Sequence, residues 1–174
     1  TTVFTIAQGF RTGNNTAFIV EDSFPDEQHT RAYVDGTNIK RGYLSKKKRI
    51  IWPYHKSENR VNLISENALS KISPNSYLKL HQSFKDKSSP NWYAYSRPQN
   101  LASMYSPKIF IKEMMPRAEF AADLDGSICF SSGYALIPKS DMQKRELLAW
   151  SFILSTDVME YQYRCIASNL HSGW

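Results

Sequence analysis

The sequence lacks the short motifs on which many catalytic and metal-binding sites depend. Its two cysteines, Cys129 and Cys165, are too far apart for the local spacing of a zinc or redox site. No aspartate or glutamate is followed two positions later by lysine, which excludes a local metal-binding element of many nucleases. Zinc-protease, serine-hydrolase and P-loop motifs are absent as well. A site built from neighbouring residues is therefore not expected, whereas one assembled from distant residues is still compatible with the sequence.

Closely spaced glycines and long apolar runs are also missing. The seven glycines are too scattered for the Gly-x-Gly turn that binds a nucleotide or a methyl donor. No run of about 18 apolar residues occurs and no signal peptide is recognisable, so neither a membrane span nor export is predicted. We interpret Cys129 and Cys165 as reduced, buried thiols of a cytoplasmic protein.

The composition is typical of one globular domain with a polyanionic partner. The 174 residues are 41% apolar and 13% aromatic, with 10 tyrosines, which favours strands. Lys and Arg outnumber Asp and Glu by 22 to 16, a formal net charge of +6 that favours a partner such as nucleic acid. Because the chain begins at Thr1 and stops at Trp174, we expect a single domain, 1–174, excised from a longer chain and truncated at its C-terminal end.

Local patterns predict an α+β fold. Strands are expected near the start of the chain, at 17–20 and at 108–112, and Asp125-Gly126 predicts a two-residue hairpin turn between two further strands. Helix starts are predicted at Ser65 and at Ser73-Pro74. The elements together indicate a mostly antiparallel, curved sheet flanked by helices.

Two helices are also predicted near the C-terminal end of the chain. The first starts at Ser140-Asp141 and the second at Asp157. Helical spacing places Val158, Tyr161 and Cys165 on one face of the second helix, which we expect to point inward.

The most basic part of the chain lies between positions 40 and 60. Eight lysines or arginines stand there against one acid, Glu58. The run leads into the apolar stretch 50–54, which would anchor it against the domain. A solvated loop or strand edge is the alternative explanation. The residues that we predict as phosphate contacts are Lys40, Arg41, Lys46, Lys47, Lys48 and Arg49.

An aromatic segment in the middle of the chain is the other candidate for a binding surface. In an extended segment, residues two apart share a face, so Tyr93, Tyr95 and Arg97 would project together. Aromatic rings beside a cation can stack on a base or hold a phosphate. The competing explanation is an aromatic core strand with one solvated arginine.

Three motifs together resemble the C-terminal specificity region of TaqI-type adenine DNA methyltransferases and of related fused restriction-modification enzymes. The first is W-Y-x-Y-x-R-P-Q at 92–99, followed by P-K-I at 107–109. The second is G-x-x-T-G-x-N at 9–15 before the apolar stretch 17–20. The third is Arg41-Gly42 ahead of the Trp-Pro-Tyr turn at 52–54.

The resemblance implies a TaqI-like specificity domain that binds double-stranded DNA and has no catalytic residues of its own. It assigns DNA contacts to Arg41, Trp92, Tyr93 and Arg97, with a loop that sets the backbone geometry, formed by Thr12, Gly13, Asn14 and Asn15. A catalytic methyltransferase domain of the same chain would hold S-adenosylmethionine and extrude the target adenine. This sequence lacks the Asn-Pro-Pro-Tyr motif of such a domain, so no cofactor or metal is expected here.

Two other functions are compatible with these observations. One is the DNA-recognition half of a type I restriction specificity subunit, which serves methylation and cleavage subunits in trans. The other is a protein-interaction or RNA-binding module in which the basic run is incidental.

Overall fold

The computed structural model describes residues 3–26, 28–45, 48–58 and 60–166. Strands and helices occur in separate groups along this part of the chain and the sheets are mostly antiparallel, so the predicted α+β class is confirmed. Two four-stranded sheets and two short two-stranded ribbons contain the strands.

The first sheet is entirely antiparallel. Its strands are β1 (Phe4–Gln8), β9 (Lys108–Ile111), β10 (Phe120–Asp123) and β12 (Tyr134–Pro138). They lie in the order β1-β12-β9-β10, so the first strand pairs with the last. The predicted strand at 108–112 is confirmed.

The second sheet contains a parallel pair. Its strands are β2 (Ile19–Val20), β3 (Thr30–Val34), β6 (Lys48–Ile51) and β11 (Ile128–Phe130), in the order β11-β3-β6-β2. Strand β11 runs parallel to β3, whereas β10 belongs to the other sheet. The prediction of a tight hairpin at Asp125-Gly126 is therefore wrong: the turn is present, with Gly126 at φ 66°, but its flanking strands separate into different sheets.

Two ribbons, five α-helices and two short 3-10 helices, Gly36–Asn38 and Leu101–Tyr105, complete the described part of the chain. The ribbons pair β4 (Ile39–Lys40) with β5 (Tyr43–Leu44) and β7 (Tyr54–Ser57) with β8 (Arg60–Leu63). The helices are α1 (Asn15–Phe18), α2 (Glu66–Ile72), α3 (Pro74–Ser83), α4 (Lys144–Leu154) and α5 (Asp157–Ile166). The starts of α2, α3 and α5 agree with prediction, while α4 begins later than Ser140.

A single helical turn replaces part of the strand that was predicted at 17–20. Asn14 caps this turn, because its side-chain oxygen accepts a hydrogen bond from the Ala17 amide at 3.1 Å. Phe18 is thereby directed into the core, where it is fully buried. Only Ile19–Val20 continue as a strand.

The aromatic segment at 92–95 lies in the core. It forms turns and no strand, so the prediction that Tyr93, Tyr95 and Arg97 share one face of an extended segment is wrong. Tyr95 stacks on Phe10 with ring centroids 4.5 Å apart and contacts Phe18 edge-on at 4.9 Å. Aromatic pairs of this kind each add about 0.5–1.5 kcal/mol beyond their buried area. The segment therefore organises the interior of the domain.

A buried ion pair lies next to this core. Lys108 is fully buried, and its Nζ donates to Asp123 Oδ2 at 2.8 Å and to the carbonyl oxygens of Met104 and Ser106 at 3.2 and 2.9 Å. Asp123 also accepts from the amides of Ser127 and Ile128 at 3.2 and 2.9 Å. Burial lowers the pKa of Lys108, and the carboxylate of Asp123 opposes that shift. The pair ties β9 to the turn that follows β10.

The last described helix packs differently from prediction. Val158 and Tyr161 on α5 are 70% and 71% exposed, so the predicted inward face is wrong. A polar contact attaches α5 to the segment before β10: the Glu160 carboxylate accepts a hydrogen bond from the Ala118 amide at 3.0 Å. Cys165 is exposed, which corrects its predicted burial, whereas Cys129 is buried as expected. No described helix has the length and apolar character to cross a membrane.

Candidate nucleic-acid interface

A cleft of about 840 Å³ opens where five distant parts of the chain meet, and we call it the polar cleft. Three walls are the loop before α1, the residues after the aromatic segment, and the segment between β11 and β12. The end of β3 and the residues after β9 complete the lining. The residues that line it are Gln8, Gly9, Arg11, Thr12, Gly13, Asn15, Ile19, Tyr33, Asp35, Ser96, Arg97, Glu113, Ser131, Ser132 and Gly133.

The loop at 12–15 forms one wall of the polar cleft and has a fixed shape. Thr12 is buried, and its hydroxyl donates to Asn15 Oδ1 at 2.6 Å. Gly13 has φ 81°, and a Cβ placed there would lie 2.9 Å from the Cβ of Ser96. Both the positive φ and the close approach favour glycine at this position. The loop is thus held by its own hydrogen bonds and by contact with the neighbouring wall.

Two arginines project from a main-chain bridge beside this loop. The Arg11 amide donates to the Arg97 carbonyl at 3.1 Å, and the Arg97 amide donates back to the Arg11 carbonyl at 3.0 Å. Directly opposed residues of an antiparallel bridge present their side chains to the same side. Both residues are exposed, and neither forms an ion pair with any described acid. Two guanidinium groups without an ion-pair partner among the described acids therefore share one side of the polar cleft.

The third wall and the end of β3 contribute hydroxyl groups. The hydroxyl groups of Tyr33 and Ser131 lie 2.5 Å apart. Burial raises the pKa of Tyr33, so this phenol stays protonated at neutral pH. The Gly9 amide donates to the Gly133 carbonyl at 3.1 Å, which fastens the wall to β1.

Carboxylates also line the polar cleft. Asp35 uses one oxygen to accept hydrogen bonds from the amide of Thr37 at 2.8 Å and from its hydroxyl group at 2.5 Å, and Glu113 is exposed. A surface that binds only phosphates gains nothing from acids, because like charges repel. Acids beside arginines match the alternating donors and acceptors of base edges better.

The structure brings some of the predicted residues together and separates others. Thr12, Gly13, Asn15 and Arg97 line the polar cleft, and Asn14 caps the adjacent helix. The sequence did not lead us to predict Arg11 as a site residue, although a cation directly before the Thr12-Gly13 turn could have indicated it. The acids and serines of the other walls come from regions without any recognisable motif.

No described residue between positions 40 and 60 lines the polar cleft, although Lys48 pairs with the lining residue Tyr33, and part of this basic run is already neutralised. Arg41 donates to Asp157 at 2.5 Å, which links the turn between β4 and β5 to α5. This contact raises the pKa of Arg41 and lowers that of Asp157. Arg49 donates to the Thr30 hydroxyl and carbonyl at 2.7 and 3.1 Å. Lys40 and Lys48 are half-buried, and Lys46 and Lys47 lie outside the described residues.

Trp92 and Tyr93 do not reach the surface in a way that permits contact with a duplex. They are 7% and 3% exposed, and the Tyr93 hydroxyl donates to the Ile64 carbonyl at 2.8 Å. Their placement corrects the expectation of a stacking platform, because both rings are occupied by core contacts. We therefore leave them out of the proposed binding surface.

Comparison with known proteins identifies the fold of this domain. No protein-family model matches the sequence, and no curated protein matches it. Among solved structures, the chain is similar to the type IIL restriction-modification enzyme MmeI in complex with DNA, with a TM-score of 0.63 and 14% sequence identity. The match covers 100% of this chain and 23% of that one, so this chain spans less than a quarter of that enzyme. The two share a fold. Within the described residues, no cluster of His, Cys, Asp or Glu is arranged to hold a metal ion.

Proposed function

We propose that this chain is a DNA target-recognition domain of an adenine-specific DNA methyltransferase or of a fused restriction-modification enzyme. The observation that carries the proposal is the pair Arg11 and Arg97, fixed side by side in the polar cleft without acidic partners. The fold likeness to a restriction-modification enzyme solved with DNA supports it. The motif resemblance at 9–15 and 92–99 supports it independently, because the structure joins these two motifs at one cleft.

The chemistry of the polar cleft supports recognition of bases together with the backbone. Arginine can bind the O6 and N7 atoms of guanine through two parallel hydrogen bonds, or hold a phosphate. Asp35 and Glu113 can accept hydrogen bonds from the amino groups of cytosine or adenine. A cleft with both kinds of group distinguishes base pairs, whereas an all-basic cleft would bind any duplex equally.

We assign the chemical step to a catalytic domain of the parent chain. S-adenosylmethionine would bind there, because this sequence contains neither a Gly-x-Gly turn nor an Asn-Pro-Pro-Tyr motif. The role proposed for this domain is to orient the duplex so that the target adenine meets the catalytic site when it is extruded. On its own, the chain is proposed to transfer no methyl group and to cut no DNA.

The test is a binding titration of the 174-residue chain with a fluorescent mixed-sequence duplex at several salt concentrations. If about three to five phosphates are contacted, log K falls against log salt with a slope of about −3 to −4.5. The double variant R11A/R97A is expected to flatten this slope by about 2. The matched control K85A/R145A removes the same charge from exposed positions outside the polar cleft and is expected to bind like the parent.

Two results would contradict the proposal. One is the absence of any binding to duplex DNA by the unmodified chain. The other is an equal effect of the R11A/R97A and K85A/R145A variants, which would assign binding to net charge alone. Tighter binding to duplex RNA than to duplex DNA would favour the RNA-binding alternative.

A further inference from the structure

The ribbon formed by β7 and β8 stands apart from both large sheets. Among the described residues, no other strand pairs with either of its edges. Its register places His55 opposite Asn62 and Ser57 opposite Arg60. Opposed residues of an antiparallel pair lie on the same face, and alternate pairs lie on opposite faces. The ribbon therefore has one face formed by these four residues and another formed by the remaining pairs.

The inner face anchors the ribbon to the core. Tyr54 is buried and its hydroxyl accepts a hydrogen bond from the Tyr95 amide at 2.8 Å. Val61 and Leu63 pack against the same core cluster. Lys56 lies at the edge of this face, with its Nζ 5.1 Å from the centre of the Tyr105 ring. These contacts anchor the inner face to the core, so the other face of the ribbon points away from it.

The outer face is entirely polar and exposed. It contains His55, Ser57, Arg60 and Asn62, and all four are exposed. Within the described part of the chain, Arg60 forms no ion pair, in contrast to Arg41. A surface ribbon without a binding role requires only polar side chains on its outer face. This face instead combines side-chain types that hydrogen-bond to base edges. Glu58, the one acid of the ribbon, lies in the turn with φ 32°.

We propose that the outer face of the β7–β8 ribbon enters the major groove of duplex DNA and contacts base edges there. This inference rests on the proposed function and adds a second contact surface to the polar cleft. The major groove is about 12 Å wide and admits a two-stranded ribbon. Arg60 is suited to guanine and Asn62 to adenine, each through paired hydrogen bonds.

Photochemical crosslinking tests the position of the ribbon directly. In a duplex with 5-iodouracil in place of thymine, the iodine occupies the site of the thymine methyl group in the major groove. Irradiation of the complex with the full chain, followed by mass spectrometry, is expected to locate crosslinks at His55 and to lose them in His55→Ala. Crosslinks confined to peptides outside 50–71 would overturn the inference.

Affinity measurements separate this inference from the proposed function. On a duplex enriched from a random pool by the unmodified chain, the variant R60A/N62A is expected to lower affinity at least about fivefold, because each good base contact contributes a factor of about five to a hundred. The matched control N67A/R145A replaces the same residue types on α2 and α4 and should leave affinity unchanged. If R11A/R97A impairs binding while R60A/N62A behaves like its control, the inference fails and the proposed function stands. If the unmodified chain binds no DNA, both fail.

Discussion

The cationic side chains of this chain differ mainly in the groups that they contact. Lys108 is buried against Asp123, Arg41 is paired with Asp157, and the guanidinium of Arg31 lies 3.8 Å from the centre of the Tyr105 ring. Arg11 and Arg97 have no such partner among the described acids. The first group serves the fold, whereas Arg11 and Arg97 are available to a phosphate or a base.

Removing the charge of Lys108 alone is expected to destabilise the domain strongly. In Lys108→Met, Asp123 keeps a buried negative charge without its cationic partner, which costs about 3–5 kcal/mol. Urea unfolding followed by tryptophan fluorescence measures the loss. The double variant K108M/D123N leaves no uncompensated charge and is expected to recover part of the stability. A single variant as stable as the parent would show that the pair contributes nothing.

Replacing Arg97 by lysine is expected to affect specificity more than general affinity. Lysine keeps the charge but loses the planar fork that makes two parallel hydrogen bonds with guanine. On a duplex enriched from a random pool by the unmodified chain, the loss should be about 1–3 kcal/mol. On unselected DNA it should be small, because non-specific binding depends mainly on charge. Equal losses on both duplexes would identify Arg97 as a phosphate contact.

The sequence shows the charge of a residue but not its partner, and this limits what can be predicted at the site. Arg41 and Arg97 look equivalent in the sequence, yet the acid that neutralises Arg41 lies 116 residues further along the chain. The loop at 12–15 was predictable because its glycine and asparagines act locally. Burial of Trp92 and Tyr93 was not, because it depends on packing against residues from many segments.

At the scale of elements, helix α3 begins with help from a distant residue. Ser73, at its N-cap position, makes no capping hydrogen bond with its side chain, and its hydroxyl group is buried without a partner. Instead Asp26 Oδ2 accepts a hydrogen bond from the Ser76 amide at 3.0 Å, in a buried position. The carboxylate thereby caps a helix that starts nearly fifty residues later.

Substitution of Asp26 by alanine is therefore expected to destabilise α3 as the loss of a cap does. The cost should be about 1–2 kcal/mol, because a buried amide loses its acceptor. Ser65→Ala at the start of α2 is the comparison, since its hydroxyl accepts a longer, exposed bond at 3.3 Å from Ala68 and should cost less. Chemical denaturation of both variants measures the difference. The reverse order of costs would contradict this account.

The positions of elements were predictable where the sequence signal is local. Predictions failed where the pairing partner is distant in the sequence. Ser65, Ser73-Pro74 and Asp157 mark helix starts through residue types that favour the first turn. Asp125-Gly126 predicts a turn equally well, but the pairing partner of β11 is β3, almost a hundred residues away. A dipeptide cannot carry that information.

At the scale of the whole molecule, buried groups that ionise only at high pH set its alkaline limit. Burial raises the pKa of Cys129 from 9.0 to about 12 and that of Tyr54 from 10.0 to about 12. The unfolded chain releases these protons first, so the stabilisation is complete below about pH 9 and is lost as pH rises toward 12. The lowered pKa of Lys108 has the opposite effect: its contribution to the free energy of unfolding increases as pH rises toward 10.5.

We expect the free energy of unfolding to fall by about 1.4 kcal/mol through Cys129 alone between about pH 8 and pH 10. Urea unfolding at the two pH values measures the change. Cys129→Ala should show a shallower decrease over the same interval, whatever its stability at neutral pH. An identical pH dependence in the two proteins would show that this thiol does not titrate late in the folded state.

The bridge between Arg11 and Arg97 has a consequence for how this domain tolerates variation. Both of its hydrogen bonds join main-chain atoms, so any residue with an amide proton can make them. The scaffold thus constrains the backbone at these two positions and leaves the side chains free to differ. A library randomised at positions 11 and 97, with proline excluded, should keep its fold throughout while its members differ in what they bind.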